Sequence, residues 1–467
     1  MEVLQRTANR GSISTGYEIA NSLKFEPDNS ESLKWTNIST YATSARKKTF
    51  SFSVWFKITE LGVQRTIWAT SANGYLLLQA DGQLKWQQSY GGVIKTLNTN
   101  RLFRDTSAWY NVIIAVDSTQ STEANRVRLY VNGVEETSLT STTYPSQNAE
   151  AENVYADHHY LGAYTGNQIY WAGYMANVAF ISDAQITPSD VGEFDEDSGI
   201  WKPKAYSGGS APSYFLEFKD SSDLGAATGL DADTLTNITS ADQATDTPTN
   251  NFCTLNPLSA GGNLGNVITE GATKVVIENS GQQVAVGTIA VTTGKWYWEA
   301  KHTSGTYQFA GIISADSRVS GNGGVADSSV AGSDAIALYR PTGQLYYNGT
   351  GTTFDTNSYT NGDIIGVALD MDNGTCALYK NGSIMGNTGS NDIVAKSGHA
   401  SLTGAWTAMY SDGTNGTFNI TYEVNFGGYH NYTISSGNTD ENGYGNFEYA
   451  PPSGYYALCS KNLAEFG

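Results

Sequence analysis

The acidic residues with the best spacing for chemistry are Glu193, Asp195 and Asp197, which alternate along the chain. On a β-strand, residues i, i+2 and i+4 share one face, and a retaining glycosidase needs two carboxyl groups about 5 Å apart. The pattern is therefore a candidate for glycan hydrolysis. The flanking Gly192 and Ser198 are typical of loops, however, which favours an acidic linker.

Two other groups resemble metal ligands. The run Asp370-Met371-Asp372-Asn373-Gly374 resembles part of a calcium loop, but an EF-hand loop has its glycine one residue later and a glutamate six residues beyond that. We therefore predict a turn. His158 and His159 are adjacent, and neighbouring residues on a strand point to opposite faces, so they cannot easily chelate one metal. Because no motif of zinc, nucleophilic or phosphate chemistry occurs, the sequence predicts no enzyme and no cofactor.

Aromatic residues with nearby amides suit sugar recognition better. A flat ring covers the apolar face of a sugar, and amide groups bond its hydroxyls. The alternative is that most of these rings belong to the core or to cross-strand pairs. The candidate ligand-binding residues are Tyr164, Tyr170, Tyr339, Tyr346, Tyr347, Asn348, Trp406 and Tyr410.

The elements that must position these residues are β-strands. Apolar residues alternate with period two between turn clusters, and no apolar stripe of helical length appears. Leu129-Tyr130-Val131-Asn132-Gly133 and Leu378-Tyr379-Lys380-Asn381-Gly382 look like one hairpin used twice, because Asn-Gly between strands is a strong hairpin signal. The sequence predicts an all-β protein with two similar halves.

The length of the chain and its net charge limit the number of domains and the partners that are expected. A chain of 467 residues is expected to form about two to four domains. The net charge of -19, from 45 acids and 26 bases, would repel phosphate backbones, so nucleic-acid binding is not expected. Three widely spaced cysteines predict neither a disulfide framework nor a zinc site. We expect no membrane span and no secretory signal.

Residues 17–200 resemble the laminin-G-like, concanavalin A-type sandwich family. The resemblance rests on the Tyr130-Val131-Asn132-Gly133 hairpin, on Trp109-Tyr110 before a buried strand, and on Tyr160-Leu161-Gly162. It also rests on the apolar strand that follows Trp171, with Gly173 where that strand must bend. Some members of this family hold calcium at one rim through Asp and Asn, so the resemblance leaves calcium open.

Residues 263–430 resemble the SPRY domain, a β-sandwich recognition module without chemistry of its own. The matching segments are Trp296-Tyr297-Trp298-Glu299, Gly311-Ile312-Ile313, residues 362–382, and Tyr422-Glu423-Val424-Asn425-Phe426-Gly427-Gly428. We therefore expect two concanavalin A-like antiparallel β-sandwiches (jelly-rolls) in tandem. The expected remainder is an N-terminal arm (1–16), a β-containing connector (201–262) and an aromatic, Pro-Pro-stiffened C-terminal tail (431–467) that packs back on the protein.

This domain order, over the whole chain, is similar to structural proteins of marine tailed bacteriophages. The resemblance implies a non-enzymatic virion protein made in the host cytoplasm, as a tail fibre or surface-exposed adhesion component. Its expected partners are other virion proteins and a host-surface glycan, and we expect a homo-oligomer. Two alternatives stay open: a capsid decoration or cement protein, and a glycan depolymerase that uses the region of Glu193 and Asp195.

Overall fold

The computed structural model describes residues 16–71, 73–155, 158–210, 212–259, 266–277, 284–317, 334–387, 389–412 and 420–467. Of the predicted N-terminal arm, residues 1–15 lie outside these ranges. The chain divides into two compact units, residues 14–249 and residues 250–467. With 44% strand and 8% helix, the predicted all-β class is confirmed.

The first unit, residues 14–249, contains one short helix, α1 (Ser44–Lys48), and short 3-10 turns at Pro27–Asn29, Ile38–Tyr41, Glu123–Asn125, Pro188–Asp190 and Ser240–Asp242. Its described strands are β1 (Ser22–Phe25), β2 (Ser32–Trp35), β3 (Thr49–Ile58), β4 (Arg65–Ser71), β5 (Gly74–Leu78), β6 (Gln83–Tyr90), β7 (Val93–Leu102), β8 (Trp109–Asp117), β9 (Val127–Val131), β10 (Val134–Glu135), β11 (Leu139–Thr143), β12 (His159–Leu161), β13 (Gly173–Ser182), β14 (Gly192–Phe194), β15 (Trp201–Pro203), β16 (Tyr214–Leu216), β17 (Ala227–Gly229), β18 (Thr234–Thr236) and β19 (Gln243–Ala244).

The second unit, residues 250–467, contains α2 (Ile393–Ser397), α3 (Ser460–Phe466) and a 3-10 turn at Pro257–Ser259. In the described ranges, no helix is long and apolar enough to cross a membrane. The described strands of this unit are β20 (Asn266–Thr269), β21 (Lys274–Ile277), β22 (Val284–Val286), β23 (Lys295–Ser304), β24 (Gln308–Ser314), β25 (Ala335–Tyr339), β26 (Gln344–Tyr347), β27 (Thr350–Thr353), β28 (Ile364–Asp370), β29 (Thr375–Lys380), β30 (Ser383–Ile384), β31 (Trp406–Asp412), β32 (Ile420–Asn425) and β33 (Tyr456–Ala457).

Each unit is an antiparallel β-sandwich. In the first sandwich, one sheet has the order β10-β9-β8-β3-β13-β1-β19, with β16 and β17 added beside β13, and the other has the order β11-β7-β6-β5-β4-β12-β2-β18. In the second sandwich the two orders are β20-β21-β32-β23-β28-β29-β30 and β22-β31-β24-β25-β26-β27. Each pair of sheets buries one continuous apolar core, as period-two alternation requires.

The two predicted Asn-Gly hairpins are the same device in both sandwiches. Asn132-Gly133 has φ angles of 46° and 78°, and Asn381-Gly382 has 49° and 76°, so both pairs adopt the left-handed conformation of a tight hairpin turn. Each asparagine Oδ1 also accepts a hydrogen bond from the neighbouring strand, from the backbone N–H of Asn111 at 2.8 Å and of Ile364 at 2.9 Å, respectively. Each turn therefore ends one strand and is hydrogen-bonded to the strand before it, β8 or β28.

The predicted bend at Gly173 is also present. Its φ angle is 131°, and a Cβ atom there would lie 2.0 Å from the carbonyl oxygen of Lys57. Only glycine lets β13 approach β3 this closely.

The predicted connector, residues 201–262, is divided between the two units at Asn250. Its first part belongs to the first sandwich, because β16 pairs with β13, β18 with β2, and β19 with β1. Its second part belongs to the second sandwich, where the Cys253 N–H donates to the Leu458 carbonyl at 2.9 Å. Strand pairing, which a polar sequence does not reveal, decides this division.

A buried ion pair anchors the end of the first unit. Lys57 Nζ lies 2.7 Å from Asp246 Oδ2, with the two side chains 0% and 1% exposed. The Trp109 Nε1–H donates to the other carboxylate oxygen at 3.0 Å. Nearby, Lys24 is paired in the same way with Glu31 and Asp242. A buried charge that loses its partner is strongly destabilising.

We predict that Asp246→Asn lowers the free energy of unfolding of the first unit by about 3–5 kcal/mol, because the neutral amide removes the carboxylate charge that compensates the buried Lys57. Chemical denaturation followed by tryptophan fluorescence measures the change. The matched control is Asp183→Asn, which breaks an ion pair with Arg46 that is partly exposed on both sides and should cost less than about 1 kcal/mol. Equal effects of the two substitutions would contradict the prediction.

The C-terminal tail packs back onto the second sandwich around Glu299. One carboxylate oxygen of this fully buried residue accepts from Tyr297 Oη and from the backbone N–H of Tyr449, and the other from Tyr432 Oη and from the N–H of Glu448, at 2.8–3.1 Å. Burial raises the pKa of Glu299, while the four donors favour its charged form. One side chain therefore holds the tail at three positions.

We predict that Glu299→Gln loosens the tail, because the new amide NH₂ faces two donors and leaves them unsatisfied, at about 1–3 kcal/mol each. Hydrogen–deuterium exchange at the Glu448 and Tyr449 amides should become at least about fivefold faster. Glu441→Gln is the control, since the exposed Glu441 accepts from Ser453 and Gly454, which are also in the tail. Unchanged exchange in the Glu299 variant would rule out the anchor.

Candidate ligand-binding faces

The outward face of the sheet β11-β7-β6-β5-β4-β12-β2-β18 carries a row of aromatic and polar side chains. Strand register places Lys34 opposite Tyr160, Tyr160 opposite Ala69, Ala69 opposite Tyr75, and Tyr75 opposite Gln87. Residues paired across strands share a face. The tyrosine face is defined here by this row, by Leu77 and Lys85 in the next row, and by Tyr164 from the loop after β12.

Tyrosine hydroxyls supply the hydrogen-bonding groups of this face. Tyr75 Oη donates to Gln87 Oε1 at 2.7 Å, and the ring of Tyr164 packs edge-on against Tyr75 with 5.7 Å between centroids. Burial raises the pKa of both Tyr75 and Tyr164, so both hydroxyls stay protonated at neutral pH. Tyr75 and Tyr160 are only 9% and 6% exposed, so the ring surface of this face is mainly that of the half-buried Tyr164, beside a hydroxyl and an amide.

Two lysines frame the rings. Lys34 Nζ lies over the ring of Tyr160 at 5.4 Å from the centroid, and Lys85 Nζ lies over Tyr75 at 5.7 Å. An ammonium group over an aromatic ring is attracted by the ring quadrupole, which keeps these long side chains close to the face. Neither lysine is among the ligand-binding residues predicted from the sequence. The signal was the tripeptide Leu-Lys-Trp, which occurs at 33–35 and again at 84–86.

Of the two predicted residues in the first sandwich, only Tyr164 joins this face. Tyr164 and Tyr170 lie in the loop between β12 and β13, and both are half-buried. In the described part of the chain, Tyr170 makes no ring contact with the tyrosine face.

The second sandwich has a smaller aromatic cluster. Tyr339 stacks on Phe309 with 4.7 Å between centroids, and Tyr346 meets both rings edge-on at 5.4 Å. Gly351 lies beneath Tyr346, where a Cβ atom would approach the ring to 3.0 Å. Burial raises the pKa of Tyr339 to about 12. Tyr339 and Tyr346 are therefore brought together, as a half-buried pair of rings on one sheet face.

The other predicted residues of the second sandwich are placed elsewhere. Tyr347 follows Tyr346 on the strand and points to the opposite face, where it packs edge-on against His399 at 4.7 Å. Asn348 is an exposed turn residue with a φ angle of 48°. Trp406 and Tyr410 are fully buried in the core, so neither ring is accessible to a ligand and we leave both out of the candidate faces.

The carboxylates considered for hydrolysis lie on the hairpin of β14 and β15. Asp195 accepts from the N–H groups of Asp197 and Ser198 at 3.2 and 3.0 Å and from Ser198 Oγ at 2.9 Å. Lys202 lies 3.4 Å from Glu193 and 3.3 Å from Asp195. Asp195 therefore stabilises the turn. Contrary to the expected loop, Glu193 lies on a short strand.

The groups that resemble metal ligands have structural roles. Asp370 accepts from the backbone N–H and side-chain amide of Asn373 at 2.9 and 2.8 Å, which forms the predicted turn. His159 is buried and bonds the Val154 carbonyl at 2.7 Å, and burial lowers its pKa to about 4. His158 instead meets Tyr160. Among the residues that the structure describes, no three His, Cys, Asp or Glu side chains are arranged to hold a metal.

Comparison with protein families agrees with these two sandwiches. A laminin G-type model of the concanavalin A-like lectin/glucanases superfamily matches residues 29–192, and the SPRY domain model matches residues 295–393. The chain carries a concanavalin A-like domain followed by a SPRY domain. Both are binding-type domains, and the tyrosine face belongs to the concanavalin A-like domain.

The similarity of this chain to solved structures is low. The SPRY domain of human HERC1 is 16% identical, with a TM-score of 0.28, over 36% of this chain and 96% of its own. A putative carbohydrate binding protein from Bacteroides ovatus is 14% identical, with a TM-score of 0.28, over 47% of this chain. The chain spans 62% of that protein. A search of curated proteins gives no match.

Proposed function

We propose that this protein is a non-enzymatic glycan-binding protein and that the tyrosine face is its main site. The observation that carries the proposal is the juxtaposition of Tyr164 with Tyr75 beside the amide of Gln87. The half-buried ring of Tyr164 offers flat apolar area to a sugar. The neighbouring hydroxyl and amide groups, which are about 9% exposed, can bond sugar hydroxyls at its edge. The concanavalin A-like family match supports this choice, because the matched superfamily includes lectins.

The Tyr339–Tyr346 pair of the SPRY domain is a second candidate. Its rings are partly exposed beside the edge strand β27, whose residues Thr350–Thr353 offer hydroxyls. We rank it below the tyrosine face because it combines fewer hydrogen-bonding side chains with its rings.

We predict that Tyr164→Ala weakens glycan binding about 5- to 30-fold, since loss of one stacking ring costs about 1–2 kcal/mol. Isothermal titration with the glycan that gives the strongest signal on an array measures the change. Tyr41→Ala, which removes an exposed ring from Ile38–Tyr41 of the same domain, should leave binding unchanged. If Tyr346→Ala abolishes binding while Tyr164→Ala does not, the site lies in the SPRY domain.

We further propose that the protein is a component of a phage virion, as a tail fibre or other surface-exposed adhesion protein. The support is the order of the two recognition domains and the resemblance of the whole sequence to structural proteins of marine tailed phages. In that setting it would assemble with neighbouring virion proteins as a homo-oligomer, and the glycan would be on the host surface.

The virion proposal predicts that the chain copurifies with intact particles and that antibody against it decorates the tail in electron micrographs. Mass spectrometry of gradient-purified particles and immunogold labelling measure the two. Labelling of the capsid lattice would instead favour a decoration protein. Absence of the chain from purified particles would reject a virion role and leave glycan binding to be judged by the tyrosine variants.

A further inference from the structure

The sheet that bears the tyrosine face contains no acidic residue. Its eight strands, β2, β4, β5, β6, β7, β11, β12 and β18, include no Asp or Glu, although the chain has 45 acids and 26 bases. The same strands include the bases Lys34, Arg65, Lys85, Lys95 and Arg101. In a protein with a net charge of -19, this sheet is locally basic.

Two of these five bases lie on the tyrosine face and are not neutralised by a carboxylate of the described residues. Arg65 and Arg101 are paired with Glu60 and Glu136, which lie outside the sheet. By contrast, within the described ranges neither Lys34 nor Lys85 lies at salt-bridge distance from a carboxylate. Their ammonium groups lie over tyrosine rings.

The spacing of the two lysines indicates the size of the ligand. Lys34 is on β2 and Lys85 on β6, which are separated by β12, β4 and β5. Their backbones are four strand spacings of about 4.8 Å, or about 19 Å, apart. Their ammonium groups lie over Tyr160 on β12 and Tyr75 on β5, which are two strand spacings, or about 10 Å, apart. Both tyrosines lie between the two lysines in the strand order. One sugar ring cannot reach both lysines, whereas a polymer that lies across the strands can.

We propose that the tyrosine face binds an anionic polysaccharide, whose carboxylate or sulfate groups contact Lys34 and Lys85 while a sugar ring lies against the half-buried Tyr164. This inference rests on the proposed glycan binding and adds the ligand class. A neutral polymer would leave the two ammonium groups without counter-charges. The absence of acids from the strands lowers the repulsion that a polyanion would meet along the row between the lysines, although Glu152 and Asp81 bond Ser89 and Gln83 on β6.

Single-stranded nucleic acid also combines negative charge with flat rings. The concanavalin A-like superfamily that matches residues 29–192 includes lectins, which favours a sugar polymer over a nucleic acid for this face. We therefore favour a polysaccharide.

The test is titration of the wild type with polygalacturonate, dextran sulfate, neutral dextran and single-stranded DNA at low salt. The test variant is Lys34→Gln with Lys85→Gln. The matched control is Lys301→Gln with Lys461→Gln, which removes two lysines of the second unit that also lie over tyrosine rings, those of Tyr432 and Tyr444. Thermal unfolding checks that all variants are folded.

We expect at least one of the two anionic polysaccharides to bind more tightly than dextran, and the better of them identifies the acid group. The test variant should lose roughly tenfold in affinity, since each exposed charge contact contributes up to about fivefold, and the control should stay within about twofold. Added salt of about 0.5 M should weaken wild-type binding and affect the test variant less.

Three results would overturn the inference. If dextran binds as tightly as the anionic polymers and the lysine substitutions have no effect, glycan binding stands but the ligand class is wrong. If none of the polysaccharides, nor any glycan on the array, binds, the proposed function itself fails. If single-stranded DNA binds more tightly than either anionic polysaccharide, the face belongs to a nucleic-acid-binding protein.

Discussion

The register between neighbouring strands is the constraint on which the candidate site depends. In β2 and β6 the same tripeptide, Leu-Lys-Trp, places leucine and tryptophan in the core and therefore turns Lys34 and Lys85 outward. A slip of one residue would bury both lysines and expose Trp35 and Trp86. Because buried tryptophans make such a slip very costly, the packing of the core determines the chemistry of the outer face.

Buried polar groups then hold the segments that follow each sandwich. Asp246 binds Lys57 and Trp109 inside the first unit, and Glu299 binds the returning tail inside the second. A carboxylate in an apolar environment is stable only with its donors in place, so each contact specifies one arrangement of chain. Both sandwiches therefore extend beyond the residues that the family models match, which are 29–192 and 295–393.

Much of the fold could be predicted because local chemistry decides it. The hairpins at Asn132-Gly133 and Asn381-Gly382, the bend at Gly173 and the turn after Asp370 each follow from residues that favour one backbone conformation. The site was harder to predict because it depends on contacts between distant strands. Tyr75 and Gln87 come together only through pairing of β5 with β6, and no feature of either segment alone indicates it.

The aromatic candidates show the same limit. Tyr346 and Tyr347 are identical in type, yet alternation sends them to opposite faces of β26. Trp406 and Tyr410 are aromatic residues of the kind that sugar-binding sites use, but both lie in the core. Assigning faces from the residues that must be inside, such as the tryptophans of Leu-Lys-Trp, would have identified Lys34 and Lys85 from the sequence.

The most direct measurement is a crystal structure of the protein soaked with an oligosaccharide of the polymer that it binds best. We predict sugar density across β12, β4 and β5, with a ring against Tyr164 and acid groups toward the two lysines. Density confined to the SPRY domain, or to any surface away from the tyrosine face, would contradict the assignment of the site.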